Sequence, residues 1–160
     1  MVPTKKASLA TALKQTRPFV SLEQEVYLSL LRTTSELSHA VDQFFRPFGI
    51  TSSQYNVLRI LRGAGTGGLC RNEISERMVT ATPDMSRLLD RMEKAGWVTR
   101  ERAEDDRRQV STYITKSGME LLAKLETPTN DFVMRLFTGA AVSDLKTVLK
   151  VNDRIRTTLS

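Results

Sequence analysis

The chain holds one cysteine and one histidine, Cys70 and His39, on separate predicted helices. That pair supplies no local nucleophile–base arrangement and no cluster of metal ligands. The run Gly63-Ala64-Gly65-Thr66-Gly67-Gly68 lacks the Gly-Lys-Ser/Thr ending of a phosphate-binding loop. Catalysis, a metal site and a cofactor are therefore not expected. Cys70 has no resolving partner, and Glu73 opposes a thiolate there, so redox sensing is not expected either. Two polar groups remain. Thr82, Pro83, Asp84, Ser86 and Arg87 crowd the start of an amphipathic segment, and Glu104-Asp105-Asp106-Arg107-Arg108 form a charged run. Arginine binds guanine edges bidentately or clamps phosphate. The chemistry on offer is recognition, not bond making.

The elements that must position these groups follow from spacing. Val20 to Phe48 reads as a long helix opened by a Ser21/Gln24 capping box. Thr51 and Gln54 form a second box before Val57, Leu58, Ile60 and Leu61, and that helix is expected to stop at Gly63. Cys70 to Val79 is a short helix, Thr80-Ala81 a tight turn. Thr82 then caps the next helix with Pro83 at its first position. This helix carries Met85, Leu88, Leu89 and Met92 on one face and closes at Gly96. Two alternating stretches, Trp97 to Arg102 and Val110 to Ile114, make a hairpin around the charged run. A further helix begins at Thr115-Lys116-Ser117-Gly118 and should kink or break near Thr127, ahead of Pro128. Ala141 to Leu159 forms the last helix.

The order predicts a mainly α fold with a small β-hairpin wing (α+β). Residues 1–18 read as an N-terminal arm and 49–115 as a winged helix-turn-helix domain. Residues 19–48 and 116–160 read as a helical dimerisation region. In a helix-turn-helix, the N-terminal residues of the second helix reach base edges in the major groove. Here those are Thr82, Pro83, Asp84, Ser86 and Arg87. Arg87 either contacts DNA or pairs with Asp84 or Asp90 on its own helix. Arg71 and Asn72, at the start of the preceding helix, either touch phosphate or are simply solvated. His39 reads as a surface or interface residue.

Charge agrees in sign only. The chain has 24 basic and 18 acidic residues, a formal net charge of +6, which suits an anionic partner. Yet residues 71–110, the expected reader, hold 9 of each sign, so geometry and not bulk charge must carry recognition. No apolar run is long enough for a membrane span, and the first 22 residues lack the features of a secretory signal. A cytoplasmic location is expected.

Residues 69–118 resemble the core of the MarR (multiple antibiotic resistance regulator) family. The likeness rests on Pro83 through Val98, on Asp106-Arg107-Arg108, and on Tyr113 through Gly118. Gly49-Ile50-Thr51 and Tyr55-Asn56-Val57-Leu58 extend it to about residues 20–158. The resemblance implies a homodimer, joined by the first and last two helices, that binds double-stranded DNA at palindromic operators as a repressor. It implies Arg108 as a minor-groove residue braced by Asp106, with Arg107 beside it. It also allows a small aromatic or phenolic effector that releases DNA; no residue here identifies one. Wings of the family usually begin Asp-Pro, whereas this one has Ala103-Glu104. The rival reading is a winged-helix module that binds protein instead of DNA, and the arginine-tipped wing argues against it.

Overall fold

A computed structural model describes residues 8–102 and 110–159. Residues 1–52 and 53–160 form two compact units. The first begins with a single turn, α1 (Leu9–Ala12), where Ser8 accepts the Thr11 N–H. The expected arm thus contains one capped turn. Helix α2 (Leu22–Phe45) follows. Its cap forms as predicted on one side, with the Ser21 hydroxyl accepting from the Gln24 N–H at 3.2 Å. The return bond goes from the Val20 N–H to Gln24 Oε1 at 2.8 Å, one residue earlier than the usual box. The helix ends in a 3₁₀ turn, Arg46–Phe48, and Gly49 accepts the left-handed backbone at φ 68°. Phe44 packs edge-on to Phe45, whose side chain is buried.

The second unit is built around a small sheet. Helix α3 (Ser52–Ala64) buries Val57, Leu58 and Leu61. It runs through Gly63, where a stop was expected, and the glycine stretch continues as a 3₁₀ turn, Gly65–Gly67. An interior glycine costs a helix only about 1 kcal/mol, which buried neighbours offset. Leu69–Cys70 then forms β1, so Cys70 is strand and not helix. Helix α4 (Arg71–Arg77) is correspondingly shorter than expected, and α5 spans Met85–Lys94. Strands β2 (Val98–Arg102) and β3 (Val110–Ile114) are the predicted hairpin arms. The antiparallel sheet has the order β1-β3-β2, with Leu69 opposite Thr112 and Arg100 opposite Thr112 from the other side. Gly68 lets the chain enter β1. Its φ is 61°, and a Cβ there would lie 2.5 Å from the Tyr113 ring.

Helix α6 (Lys116–Leu136) continues through Pro128, and the expected break is absent. Lys124, whose carbonyl has lost its N–H partner, is exposed, so water can substitute. Buried Leu122 and Leu125 anchor the helix before the proline. Helix α7 (Val142–Leu159) buries no residue.

The core of this unit is Val57, Leu58, Leu61, Leu69, Ile74, Met85, Leu88, Leu89, Met92, Val98, Leu122 and Leu125. The apolar face predicted for α5 is therefore its packed face. Gly118 marks the closest approach: an added Cβ would meet the Trp97 carbonyl oxygen at 2.4 Å and Ile114 Cγ1 at 2.9 Å. Among the described residues no helix is long and apolar enough to cross a membrane, and no group of side chains could hold a metal ion.

Candidate nucleic-acid interface

The start of α5 is set by an acid, not by the predicted hydroxyl. Asp84, with φ −127° and ψ 73°, is the N-cap, and its Oδ1 accepts the Arg87 N–H at 3.0 Å. Thr82 and Pro83 lie outside the helix, in the connection from α4. The reason is electronic. Aspartate is a better N-cap than threonine, and its charge suits the positive end of the helix dipole. The helix therefore begins two residues later than the sequence suggested, which places Ser86 and Arg87 in its first turn.

Arg87 uses its own cap. Its Nε stands 3.0 Å from Asp84 Oδ2, and its side chain is 84% exposed. Of its two possible partners on its own helix, Arg87 pairs with Asp84, while Asp90 pairs with Arg100. Across the turn, the Arg71 guanidinium donates to Ser86 Oγ at 3.3 Å and, more weakly, to Asn72 Oδ1 at 3.5 Å. A polar cleft lies between the two helices. It is lined by Arg71, Asn72, Ser75, Thr82, Pro83, Asp84, Met85 and Ser86. Six of the seven described candidate residues thus share one cleft, with Arg87 adjoining it in the same helical turn. Asp106, Arg107 and Arg108 lie outside the described residues.

Four sets of contacts hold this geometry. Asn56 of α3 accepts the Val79 N–H at 2.9 Å, pinning the turn between α4 and α5. The Cys70 N–H donates to Glu73 Oε2 at 2.7 Å, fixing the start of α4; this bond holds the Glu73 carboxyl below its ordinary 4.5. Arg100 of β2 reaches α5. Its Nε and Nη2 donate to Glu93 Oε2 at 2.9 and 2.5 Å, and Nη2 stands 2.7 Å from Asp90 Oδ1. Hydrogen bonding from Arg100 lowers the Glu93 pKa, and the same bond raises that of Arg100. At the far end of the hairpin, the Thr115 hydroxyl donates to the Gly96 carbonyl at 2.6 Å and accepts from Gly118 N–H at 3.1 Å. The wing strands are thereby tied to the C-terminal half of the reader helix and to the residues just after it.

Sequence reading missed Arg100, Asn56 and β1. The Arg100 signal was present. Asp90 and Glu93 are three apart, hence neighbours on one helix surface, and Arg100 sits at an alternate strand position with Val98, two residues away. A two-residue strand such as β1 has no periodicity to read. His39 is exposed, and Cys70 is free and half-buried.

Two helices joined by a turn, followed by a hairpin on a three-stranded sheet, define a winged helix-turn-helix protein. Residues 48–109 match the profile of the MarR family. A crystal structure of a MarR transcription factor from Planctomyces limnophilus is 33% identical, with a TM-score of 0.67. That alignment covers 85% of this chain and 98% of that one. The chain belongs to the MarR family. The HTH-type transcriptional regulator PapX of Escherichia coli is 29% identical over 109 residues. The match takes in 68% of this chain and 66% of PapX, just under two thirds of its length. The S. aureus MepR–DNA complex shares the fold, with a TM-score of 0.74 at 22% identity over 82% of this chain and 97% of that one.

Proposed function

We propose that the chain is a sequence-specific transcription regulator that binds double-stranded DNA as a homodimer at palindromic operators, acting as a repressor in the cytoplasm. The observation that carries this reading is the polar cleft at the start of α5. It gathers a guanidinium, an amide, hydroxyls and a capping carboxylate beside an exposed arginine, on the helix that a helix-turn-helix places in the major groove. PapX being a transcriptional regulator and MepR having been crystallised on DNA both support it. Phosphate contacts come from Arg71 and Asn72, base contacts from Ser86 and Arg87. Thr82 and Pro83 shape the approach. Arg108, braced by Asp106 and flanked by Arg107, enters the minor groove.

The dimer reading rests on apolar side chains left outside the core. Helix α7 exposes Val142, Val148, Leu149 and Ile155, the end of α6 exposes Val133, Met134 and Leu136, and α2 exposes Leu22, Val26, Tyr27 and Leu31. A monomer rarely leaves so much apolar surface in water, and obligate interfaces are built from such faces. Two-fold symmetry then places half-sites about 10 bp, or a multiple of it, apart. A small aromatic or phenolic effector is the releasing signal on this reading. Selection of bound duplexes from a random pool tests it. A two-fold symmetric consensus supports the proposal. A chain that retains no duplex, or retains all sequences equally, argues for the protein-binding alternative.

A further inference from the structure

We propose that Asp84 is a specificity-determining positioning residue, holding Arg87 in the orientation that reads one guanine. The inference rests on the DNA-binding reading above and deepens it. Asp84 commits both carboxylate oxygens to the same residue. Oδ1 accepts the Arg87 backbone N–H at 3.0 Å, and Oδ2 forms an ion pair with the side-chain Nε at 3.0 Å. The backbone bond fixes where the arginine begins, and the ion pair draws the Nε edge of its guanidinium towards the cap. Guanidinium is planar, with donors on three edges. With the Nε edge drawn to the cap, the end-on edge, Nη1 and Nη2, has no partner among the described residues and is open to solvent. That edge presents two parallel N–H donors, matching the O6 and N7 acceptors of guanine in the major groove.

An acid at this place otherwise works against the function. Its charge repels phosphate, and its capping duty could be done by serine, which caps about as well. The additional task that only a second oxygen performs is the hold on Nε. A long side chain immobilised in advance loses less freedom on binding, so the advantage appears when the matching base is present. Ser86 belongs to the same arrangement by a different route. Its hydroxyl is engaged by Arg71 from α4, so the two first-turn side chains facing the groove are each held by a neighbour.

Asp84→Ser separates the cap from the brace. Wild type, Asp84→Ser, Arg87→Ala and the double variant are measured on a palindromic duplex selected from a random pool. A set of duplexes then carries each of the four bases at every symmetric position. Circular dichroism and melting temperature establish that each variant folds. In wild type, one guanine position is preferred by roughly 5- to 150-fold, and Arg87→Ala abolishes that preference. Asp84→Ser weakens the preference at that same position by about 2- to 12-fold while leaving the others unchanged. Removing the acid also tightens binding to all duplexes alike. In the Arg87→Ala background, Asp84→Ser changes no base preference. Uniform tightening with discrimination intact overturns the brace: Asp84 is then only a cap and a repulsive charge. The same follows if Asp84→Ser alters base preference equally with and without Arg87. Absence of salt-sensitive duplex binding by the wild type is a different failure. It overturns the DNA-binding reading beneath the proposal, and the proposal with it.

Discussion

Helices α5 and α7 are both amphipathic, and they meet opposite fates. Helix α5 buries Met85, Leu88, Leu89 and Met92 against its own unit, while α7 buries nothing and leaves Leu149 62% exposed. The apolar stripe of α5 is satisfied within one chain; that of α7 is not. The polar sides differ in the same sense. On α5 the charged groups are engaged one by one: Asp84 with Arg87, Asp90 and Glu93 with Arg100. On α7 Arg156 pairs with Asp153 of the same helix, one turn away. One helix is finished by the fold and presents a defined polar surface. The other is completed by association.

Core deletion should break the comparison most strongly. Leu88→Ala leaves a cavity under the reader helix and should cost about 2–5 kcal/mol, seen as a lower denaturation midpoint at matched protein concentration. Leu149→Asp on α7 should act only through assembly. Sedimentation at micromolar concentration should give twice the 18.0 kDa chain mass for the wild type and one chain mass for the variant. A folded wild-type monomer at that concentration would contradict the reading of α7.

Gly118→Ala tests the seam between α6 and the hairpin. Its Cβ would press on the Trp97 carbonyl, which is backbone and cannot swing away, so about 1–3 kcal/mol should be lost.

Arg100→Ala tests the engaged polar face. Its partners are partly exposed and screened, so the loss should be about 1 kcal/mol. The same clasp has a pH signature. The folded pKa of Glu93 lies below its ordinary 4.5, so its stabilisation is complete above 4.5 and is lost as pH falls through the lower folded value. Glu93→Gln should flatten that part of an acid-stability curve.

Much of this arrangement was legible before any coordinates, and the limits have physical causes. The stripes of α3 and α5 repeat at helical spacing because one face is buried; the strands β2 and β3 alternate for the same reason. The family likeness carried the winged helix-turn-helix, and the fold agrees with it. What failed was local choice between competitors. Thr82-Pro83 is a good helix opening in isolation, yet Asp84 offers a charged acceptor two residues on and wins. Pro128 should stop a helix, but tertiary packing of Leu122 and Leu125 carries α6 through it. Cys70 read as the start of a helix and is the N-cap of α4, but nothing local reveals that Ser111 also pairs with it as a strand partner. The Arg100 clasp required knowing which strand face meets α5, a nonlocal fact.

The central claim is that the cleft at the start of α5 reads duplex DNA. The direct measurement is equilibrium binding to a selected palindromic duplex and to a scrambled one, by fluorescence anisotropy across a salt series, for wild type and for Arg71→Ala. The selected duplex should bind at least about 10³-fold more tightly than the scrambled one. Affinity for both should fall steeply between about 50 and 200 mM salt, with Arg71→Ala reducing the slope by about one unit per site. Equal affinity for the two duplexes, or a slope that Arg71→Ala leaves unmoved with no loss of affinity, would contradict the account.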